Sequence, residues 1–282
     1  MNSANVESLI KGAIDMHVHS SPDVVPRLMS DIELARSAKE AGMSGVLIKC
    51  HQTPTAARAA LAMEAVGGGI SVFGGLVLNN SVGGLNPAAV ETEIKLGAKE
   101  VWMPTISAAN FASYHKGSHY PSIEVTDQTG RLKPEVHDIL DCIAASDVIL
   151  GTGHLSAQEC ELLAMAAFER GVKKILVTHP EFEAVRMPIE MQQRLARKGV
   201  FFERCFYATN SPQKLPPQEV AEHIKAVGAD TTVLSTDFGQ VFNRPPVEGL
   251  KEFIATMMQY GICDDEIEIM IKKNPRLLLN IV

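Results

Sequence analysis

Apolar and polar positions along the chain follow one repeating order. A segment with helical spacing ends near a glycine, a short apolar run follows, and a polar residue closes the run. Two clear instances are Ala41-Gly42 before residues 46–48 and Leu96-Gly97 before residues 101–103. Glycine is common just past a helix C-terminus, so each unit predicts a helix followed by a buried strand.

Counting these units predicts a ring of strands. The predicted strands cover residues 13–18, 46–48, 70–78, 101–103, 148–150, 175–177, 200–202 and 232–234. Ser30 with Glu33 and Ser156 with Glu159 have capping-box spacing, which places helix starts after strands. The alternation predicts an α/β fold, a single (β/α)8 TIM barrel over residues 1–282 that is distorted in detail. A doubly wound sheet also alternates, but it normally carries a glycine-rich turn after its first strand, which this chain lacks.

Two segments do not follow this repeat of helix and strand. Residues 105–131 follow the fourth predicted strand, and a loop of this length is typical of a lid, although a surface excursion or an oligomer contact fits equally well. Residues 264–273 and 275–281 have helical apolar spacing. We expect these extra C-terminal helices to pack on the outside of the barrel through side chains that include Leu277 and Leu278.

The composition narrows the class of partner. The chain has 282 residues, a formal net charge of -7 and no run of Lys and Arg. We therefore expect a small-molecule substrate and no nucleic-acid or membrane partner. The five cysteines form no C-x-x-C pair and the N-terminal residues lack a signal-peptide pattern, which predicts a cytoplasmic protein. The twelve methionines suit either core packing or a homo-oligomer contact.

Two histidines mark the end of the first predicted strand. His17 and His19 are separated only by Val18. Side chains alternate between the faces of a strand, so both imidazoles are expected to enter one cavity while Val18 packs outward. Two neutral ring nitrogens on one side suit a borderline cation such as zinc.

Polar residues close several of the other predicted strands. In barrels of this class the active site is built at the C-terminal ends of the strands. Residues at those ends include Lys49, His51, His154, His179, Glu203, Arg204 and Asp237. Several imidazoles with one carboxylate predict a site for zinc or another divalent ion, with an open position for water.

Four motifs together resemble the amidohydrolase superfamily. They are residues 14–19 (Ile-Asp-Met-His-Val-His), the histidine after the fifth strand, Thr178-His179-Pro180 and Ser235-Thr236-Asp237. Residues 271–278 are similar to the closing helix of those barrels, so the resemblance spans nearly the whole chain. It implies that Asp237 takes a proton from the attacking water. It also implies metal ligands at His17, His19, His154, His179 and Asp237.

The chain departs from the superfamily pattern at one position. Binuclear members usually supply a bridging lysine or glutamate from the fourth strand, where this chain has Met103-Pro104-Thr105. One divalent ion, most simply zinc, is therefore expected ahead of two. Lys49, His51 or Glu203 would have to complete a second or bridging site. Lys49 could instead form a salt bridge, and His51 could cap the following helix.

Three side chains are candidates for substrate binding. Arg27 in the first loop and Arg204 can each clamp a carboxylate or phosphate, although a surface ion pair explains either equally well. Arg204 and the glutamate before it face opposite sides of a strand, so at most one of them enters the barrel. Tyr114 is the third candidate and lies near His115 and His119, for which a solvated position is expected.

The leading hypothesis is a metal-dependent hydrolase that uses activated water on an amide, ester or related bond of a small molecule, with residues 105–131 closing over it. Three alternatives stay open. A single-metal lyase such as a decarboxylase would release carbon dioxide. A phosphoesterase of the polymerase-and-histidinol-phosphatase type would give His51 a ligand role. A non-enzymatic binding barrel would bind no divalent ion.

Overall fold

Every pair of named strands is parallel in the computed structural model, which describes residues 3–115, 122–210 and 214–281. They form one sheet in the order β1-β2-β3 and a second sheet that runs from β4 to β9. Each predicted strand position is confirmed. The strands are β1 (Ile14–Val18), β2 (Gly45–Ile48), β3 (Ser71–Phe73), β4 (Gly75–Val77), β5 (Glu100–Trp102), β6 (Ile149–Gly151), β7 (Ile175–Thr178), β8 (Phe201–Cys205) and β9 (Thr232–Ser235).

The third predicted strand is divided into β3 and β4 at Gly74. Thr55 enters the ladder there, because its N–H donates to the Gly75 carbonyl at 3.0 Å and its hydroxyl accepts the Gly75 N–H at 2.8 Å. A Cβ at Gly74 would overlap the backbone of Thr55. Glycine therefore permits the close approach that separates the two sheets.

The first and last strands lie side by side. Beyond β9, the Asp237 N–H donates to the His17 carbonyl at 2.8 Å, and the His19 N–H donates to the Phe238 carbonyl at 2.7 Å. The continuation of β9 therefore pairs with β1 and the residues that follow it. This ring of parallel strands with helices around it is the α/β TIM-barrel fold that the sequence predicts.

Helices follow the strands, and both predicted capping boxes are present at Ser30 and Ser156. A π-helical turn, Ile269–Lys273, joins the last two helices. Among the described residues, no helix has both the length and the apolar character that crossing a membrane requires. The helices are α1 (Ser3–Leu9), α2 (Asp31–Glu40), α3 (Ala56–Ala65), α4 (Pro87–Lys95), α5 (Ala109–Tyr114), α6 (Pro134–Ser146), α7 (Ala157–Glu169), α8 (Ile189–Ala196), α9 (Tyr207–Asn210), α10 (Pro217–Val227), α11 (Pro246–Gln259), α12 (Asp264–Glu268) and α13 (Asn274–Leu279).

The C-terminal helix α13 closes one end of the barrel. Leu278 packs in the same buried cluster as Ile14 and Met16 inside the barrel, whereas Val18 packs in an outer cluster, as predicted. Leu277 is 62% exposed. The expectation that Leu277 and Leu278 both pack on the outside is therefore wrong. Successive helical residues are about 100° apart, so only one of the two faces the barrel.

Because α13 closes the barrel, alanine substitutions of its two leucines should lower the free energy of unfolding by different amounts. Leu278→Ala should lower the free energy of unfolding by about 2–5 kcal/mol, because it opens a cavity in the barrel interior. Leu277→Ala, the matched control, should change it by about 0.5 kcal/mol or less. Urea denaturation followed by circular dichroism measures both, and equal effects would contradict this packing.

Candidate metal centre

A cavity of about 470 Å³ opens at the C-terminal ends of the strands. A cluster of histidine side chains lies around its base, with successive ring centroids between 4.9 and 6.0 Å apart. They end or follow strands β1, β2, β6 and β7, as the sequence predicts. The histidines are His17, His19, His51, His154 and His179.

His17, His19 and Asp237 converge on one point. Nε2 of His17 lies 3.2 Å from Oδ1 of Asp237, and Nε2 of His19 lies 3.0 Å from the same oxygen. The backbone bond between Asp237 and His17 brings the β9 extension next to β1 and thereby places these side chains together. The first and last strands thus form one side of the centre.

Glu203 determines which nitrogen of His17 faces Asp237. Nδ1 of His17 is 2.9 Å from Oε2 of Glu203, and the Ser235 hydroxyl donates to Oε1 of Glu203 at 3.1 Å. Burial raises the pKa of Glu203 to about 8. When Glu203 is ionised, an Nδ1–H donated to it leaves a lone pair on Nε2, directed at Asp237. Because Glu203 contacts the edge of His17 remote from Asp237, the expectation that it bridges two ions there is not supported.

Burial keeps these histidines neutral. It lowers the pKa of His17, His19, His51 and His154 well below the ordinary histidine value and that of His179 to about 3. Neutral imidazole is the form that binds metal. Among the described residues, Nε2 of His17, Nδ1 of His154 and Nδ1 of His179 are buried without a hydrogen-bond partner.

The converging atoms fit a divalent cation. Two lone-pair atoms about 3 Å apart repel each other unless a proton or a cation lies between them. Ligands at about 2.0–2.1 Å from a tetrahedral zinc ion lie about 3.3 Å from one another. The separations of 3.0 and 3.2 Å at Asp237 are close to that value. A carboxylate beside neutral nitrogens thus has both the chemistry and the spacing of a metal site.

Cys205 lies beside His17 but suits this role less well. Potential ligand atoms of His17, Cys205 and Asp237 lie within 4.8 Å of one another. Burial raises the pKa of the Cys205 thiol well above its ordinary value, which keeps it protonated. Its sulfur lies 3.6 Å from Nδ1 of His17, the edge that Glu203 already contacts. The Nε2 edge, facing Asp237, is therefore the better position for a cation.

Lys49 and His51 reach the cavity from the end of β2. Nζ of Lys49 is buried without a hydrogen-bond partner among the described residues and lies 5.4 Å from the centroid of the Trp102 ring. Nδ1 of His51 is 2.8 Å from the hydroxyl of Thr105. Within the described residues, neither side chain makes the salt bridge or helix cap that the sequence left open as alternatives.

Glu100 carries a buried carboxylate that sequence reasoning missed. It is the first residue of β5, and Gly151 leaves space for it beside Trp102 inside the barrel. Neither of its oxygens has a hydrogen-bond partner among the described residues. Burial raises the pKa of Glu100 well above its ordinary value, and the nearby Glu203 adds to the rise. The available signal was a glutamate, directly after Lys99, at the start of an apolar run.

Arg27 lines the cavity, whereas the other two candidate substrate-binding residues do not. Tyr114 lies on α5 and is 56% exposed. The Arg204 guanidinium is fully buried against Glu181 and donates to Oε1 of Gln192 at 3.1 Å. Glu203 enters the barrel, so Arg204 faces the opposite side of β8. The predictions for Arg204 and Tyr114 are corrected on these grounds.

Part of the cavity wall comes from residues on α5 and in the segment after β7 that the sequence pattern did not identify. Phe111 and Phe182 both line it, and their ring centroids are 6.2 Å apart. His115, expected to be solvated, lines the cavity with its ring centroid 4.2 Å from that of Phe111. His119 lies outside the described residues. The segment 105–131 therefore contributes to the cavity, in part through α5.

Comparison with known proteins assigns a family. A family model described as "Family of unknown function (DUF6282)" matches residues 12–203. The chain belongs to this family. The matched region contains the candidate histidines but ends before Asp237. No curated protein matches the sequence.

Solved structures with a fold similar to that of this DUF6282 chain include enzymes. An amidohydrolase from Pseudomonas aeruginosa has a TM-score of 0.67 and 13% identity, covering 99% of this chain and 98% of that one. A Xaa-Pro dipeptidase with methionine bound in its active site has a TM-score of 0.64 and 16% identity, covering 96% and 75%. A 2,6-dihydroxybenzoate decarboxylase from Rhizobium has a TM-score of 0.57 and 14% identity, covering 96% and 99%. The fold that the resemblance implied is thus confirmed.

The burial of Arg204 predicts a structural rather than a substrate-binding role. Arg204→Ala should lower the free energy of unfolding by about 3–5 kcal/mol, because it leaves the buried Glu181 carboxylate without its guanidinium partner. Arg194 pairs with Glu161 at the surface, so Arg194→Ala should cost about 0–1 kcal/mol. Chemical denaturation of both variants provides the test. An Arg204 variant as stable as the Arg194 variant would refute this role.

Proposed function

We propose that this protein is a metal-dependent enzyme of the amidohydrolase type that hydrolyses an amide, ester or related bond of a small molecule. The convergence of the Nε2 atoms of His17 and His19 on Asp237 carries the proposal. Two ring nitrogens aimed at one carboxylate oxygen need a proton or a cation between them, and one divalent cation can meet this need for both nitrogens at once. An amidohydrolase and a dipeptidase share this fold, which supports the proposed function.

Four histidines and one carboxylate would hold the ion, and zinc is the simplest choice for this donor set. A bound divalent ion supplies Lewis acidity and lowers the pKa of water at the centre. Its ligands would be His17, His19, His154, His179 and Asp237. We propose one ion, because Glu203 bonds the remote edge of His17 and the end of β5 offers no bridging ligand in the described residues.

Asp237 is the proposed catalytic base. Its carboxylate borders the cavity and lies among the candidate metal ligands, so it can accept the proton of the attacking water. Glu203 orients His17 through Nδ1 without reaching the reacting atoms. Phe111, His115 and Phe182 line the cavity, and the two phenylalanine rings exclude water beside His154 and His179.

A lyase that releases carbon dioxide is the second candidate. The same centre can polarise a carboxylic acid, and a decarboxylase shares the fold. Hydrolysis adds the oxygen of water to the product, whereas decarboxylation adds none. Reactions run in ¹⁸O-labelled water therefore separate the two chemistries, and release of phosphate from aryl phosphates would favour a phosphoesterase.

Asp237→Asn tests the proposed mechanism. On a panel of dipeptides, N-acyl amino acids, lactones and aromatic acids, the zinc-loaded protein should turn over at least one class. The variant should lose roughly 10²–10⁴-fold in kcat, because the amide cannot accept a proton. We expect it to retain most of its zinc, since four imidazoles remain.

Liquid chromatography with mass detection measures turnover, and elemental analysis measures zinc in the same samples. Asp138→Asn is the control, because Asp138 lies on α6 outside the cavity. Full activity in the Asp237 variant would show that the base is assigned wrongly.

A further inference from the structure

The cavity has two chemically different walls. One wall is apolar and includes Ile106, Phe111 and Phe182. The rest of the lining includes the nitrogen donors of Arg27, Lys49 and Gln240. A ligand that satisfies both walls must combine an apolar body with an electron-rich polar group.

The apolar wall begins at the candidate metal ligands. The Phe111 ring centroid is 4.9 Å from that of His154, and the Phe182 ring centroid is 5.0 Å from that of His179. Phe111 and Phe182 are near-parallel, with an interplanar angle of 24°. A flat apolar group next to the reacting centre would therefore contact aromatic surface rather than water.

Arg27 is held by a hydrogen bond to Asp23 and lies beside His19. Its Nε donates to Oδ2 of Asp23 at 2.7 Å, and its Nη2 lies 3.4 Å from Nδ1 of His19. Its side chain is only 6% exposed. The backbone of Arg27 bridges to Gln240, and the Leu28 N–H donates to the Gly239 carbonyl at 2.9 Å. The guanidinium is thus fixed before any ligand binds.

Arg27 and Lys49 bring nitrogen donors to the cavity that protein contacts do not fully occupy. The guanidinium of Arg27 has further N–H groups besides the one bonded to Asp23, and the Lys49 amine has no hydrogen-bond partner among the described residues. Of the acidic residues lining the cavity, Asp237 contacts His17 and His19, and Glu183 lies beside His115 at 3.7 Å. An anionic ligand group would satisfy the donors that these contacts leave.

We propose that the substrate is a small carboxylic acid with a flat apolar body, whose carboxylate is bound by Arg27 with help from Lys49. This inference rests on the proposed function and names the substrate class for the same site. A planar carboxylate matches the fork of one guanidinium, and the aromatic wall accounts for the rest of the molecule. The cavity of about 470 Å³ lies in the size range of small-molecule sites.

Calorimetric titration of the zinc-loaded protein tests the substrate class without requiring turnover. The probes are benzoate, acetate, benzyl alcohol and inorganic phosphate. We expect benzoate to bind at least tenfold more tightly than acetate, which lacks the ring, and than benzyl alcohol, which lacks the charge. Benzoate no tighter than both, or phosphate tighter than benzoate, would overturn the proposal.

Variants of Arg27 test whether this residue binds the carboxylate of the ligand. Arg27→Gln should weaken benzoate binding at least tenfold, and Arg27→Lys should recover only part of it, because an ammonium group cannot form a forked contact. Arg244→Gln is the matched control, since Arg244 pairs with Glu252 outside this cavity and its side chain is 68% exposed. It should bind benzoate as the parent protein does.

The failures of the two proposals can be distinguished. A protein that binds no zinc contradicts the proposed function. A protein that binds zinc, and whose affinity for benzoate is unchanged in a folded Arg27→Gln variant, contradicts only the substrate class. Thermal unfolding of each variant verifies folding, and the Lys variant preserves the test if the Gln variant does not fold. Affinity lost on zinc removal but unchanged in both Arg27 variants would assign the carboxylate to the metal instead.

Discussion

The Asp15 carboxylate joins the first and last strands directly beside the candidate metal centre. It accepts the Thr236 hydroxyl at 2.6 Å, the Thr236 N–H at 3.0 Å and the His17 N–H at 3.2 Å. These bonds fix the residues immediately before Asp237 against the backbone of His17. Asp237 and His179 both hold left-handed backbone angles, with φ of 54° and 31°. Such strain persists only where the surroundings hold it, and it recurs at functional sites.

The position of the centre follows from how the barrel is filled. Apolar side chains such as Ile14, Met16 and Leu278 occupy its interior on the side of α13, so water is excluded beneath the histidines. In that environment the imidazoles stay neutral. Glu203 holds the Nδ1 edge of His17, so that Nε2 faces Asp237. The Nε2 atoms of His17 and His19 thus meet one carboxylate oxygen, an arrangement that a divalent cation can occupy.

The sequence predicted the parts of the site that obey strand geometry. His17, His19 and Asp237 could be predicted because each lies at the end of a strand. There, the alternation of side chains between the two faces of the strand indicates which of them enter the barrel. Glu203 and Arg204 illustrate the limit, since alternation showed that at most one enters the barrel but not which one. The aromatic wall was not predictable, because Phe111 lies on the short helix α5 and Phe182 in a loop, and neither segment has a repeating apolar pattern. The break at Gly74 was also hidden, since it depends on Thr55, which is distant in sequence.

The metal content of the purified protein tests the proposed metal centre most directly. Elemental analysis of protein purified without chelator or added metal should find about one divalent ion per chain. His179→Asn should lose most of that metal, whereas His137→Asn on the outer helix α6 should retain it. Absence of metal from the parent protein, even after reconstitution with zinc, would contradict the proposed metal centre.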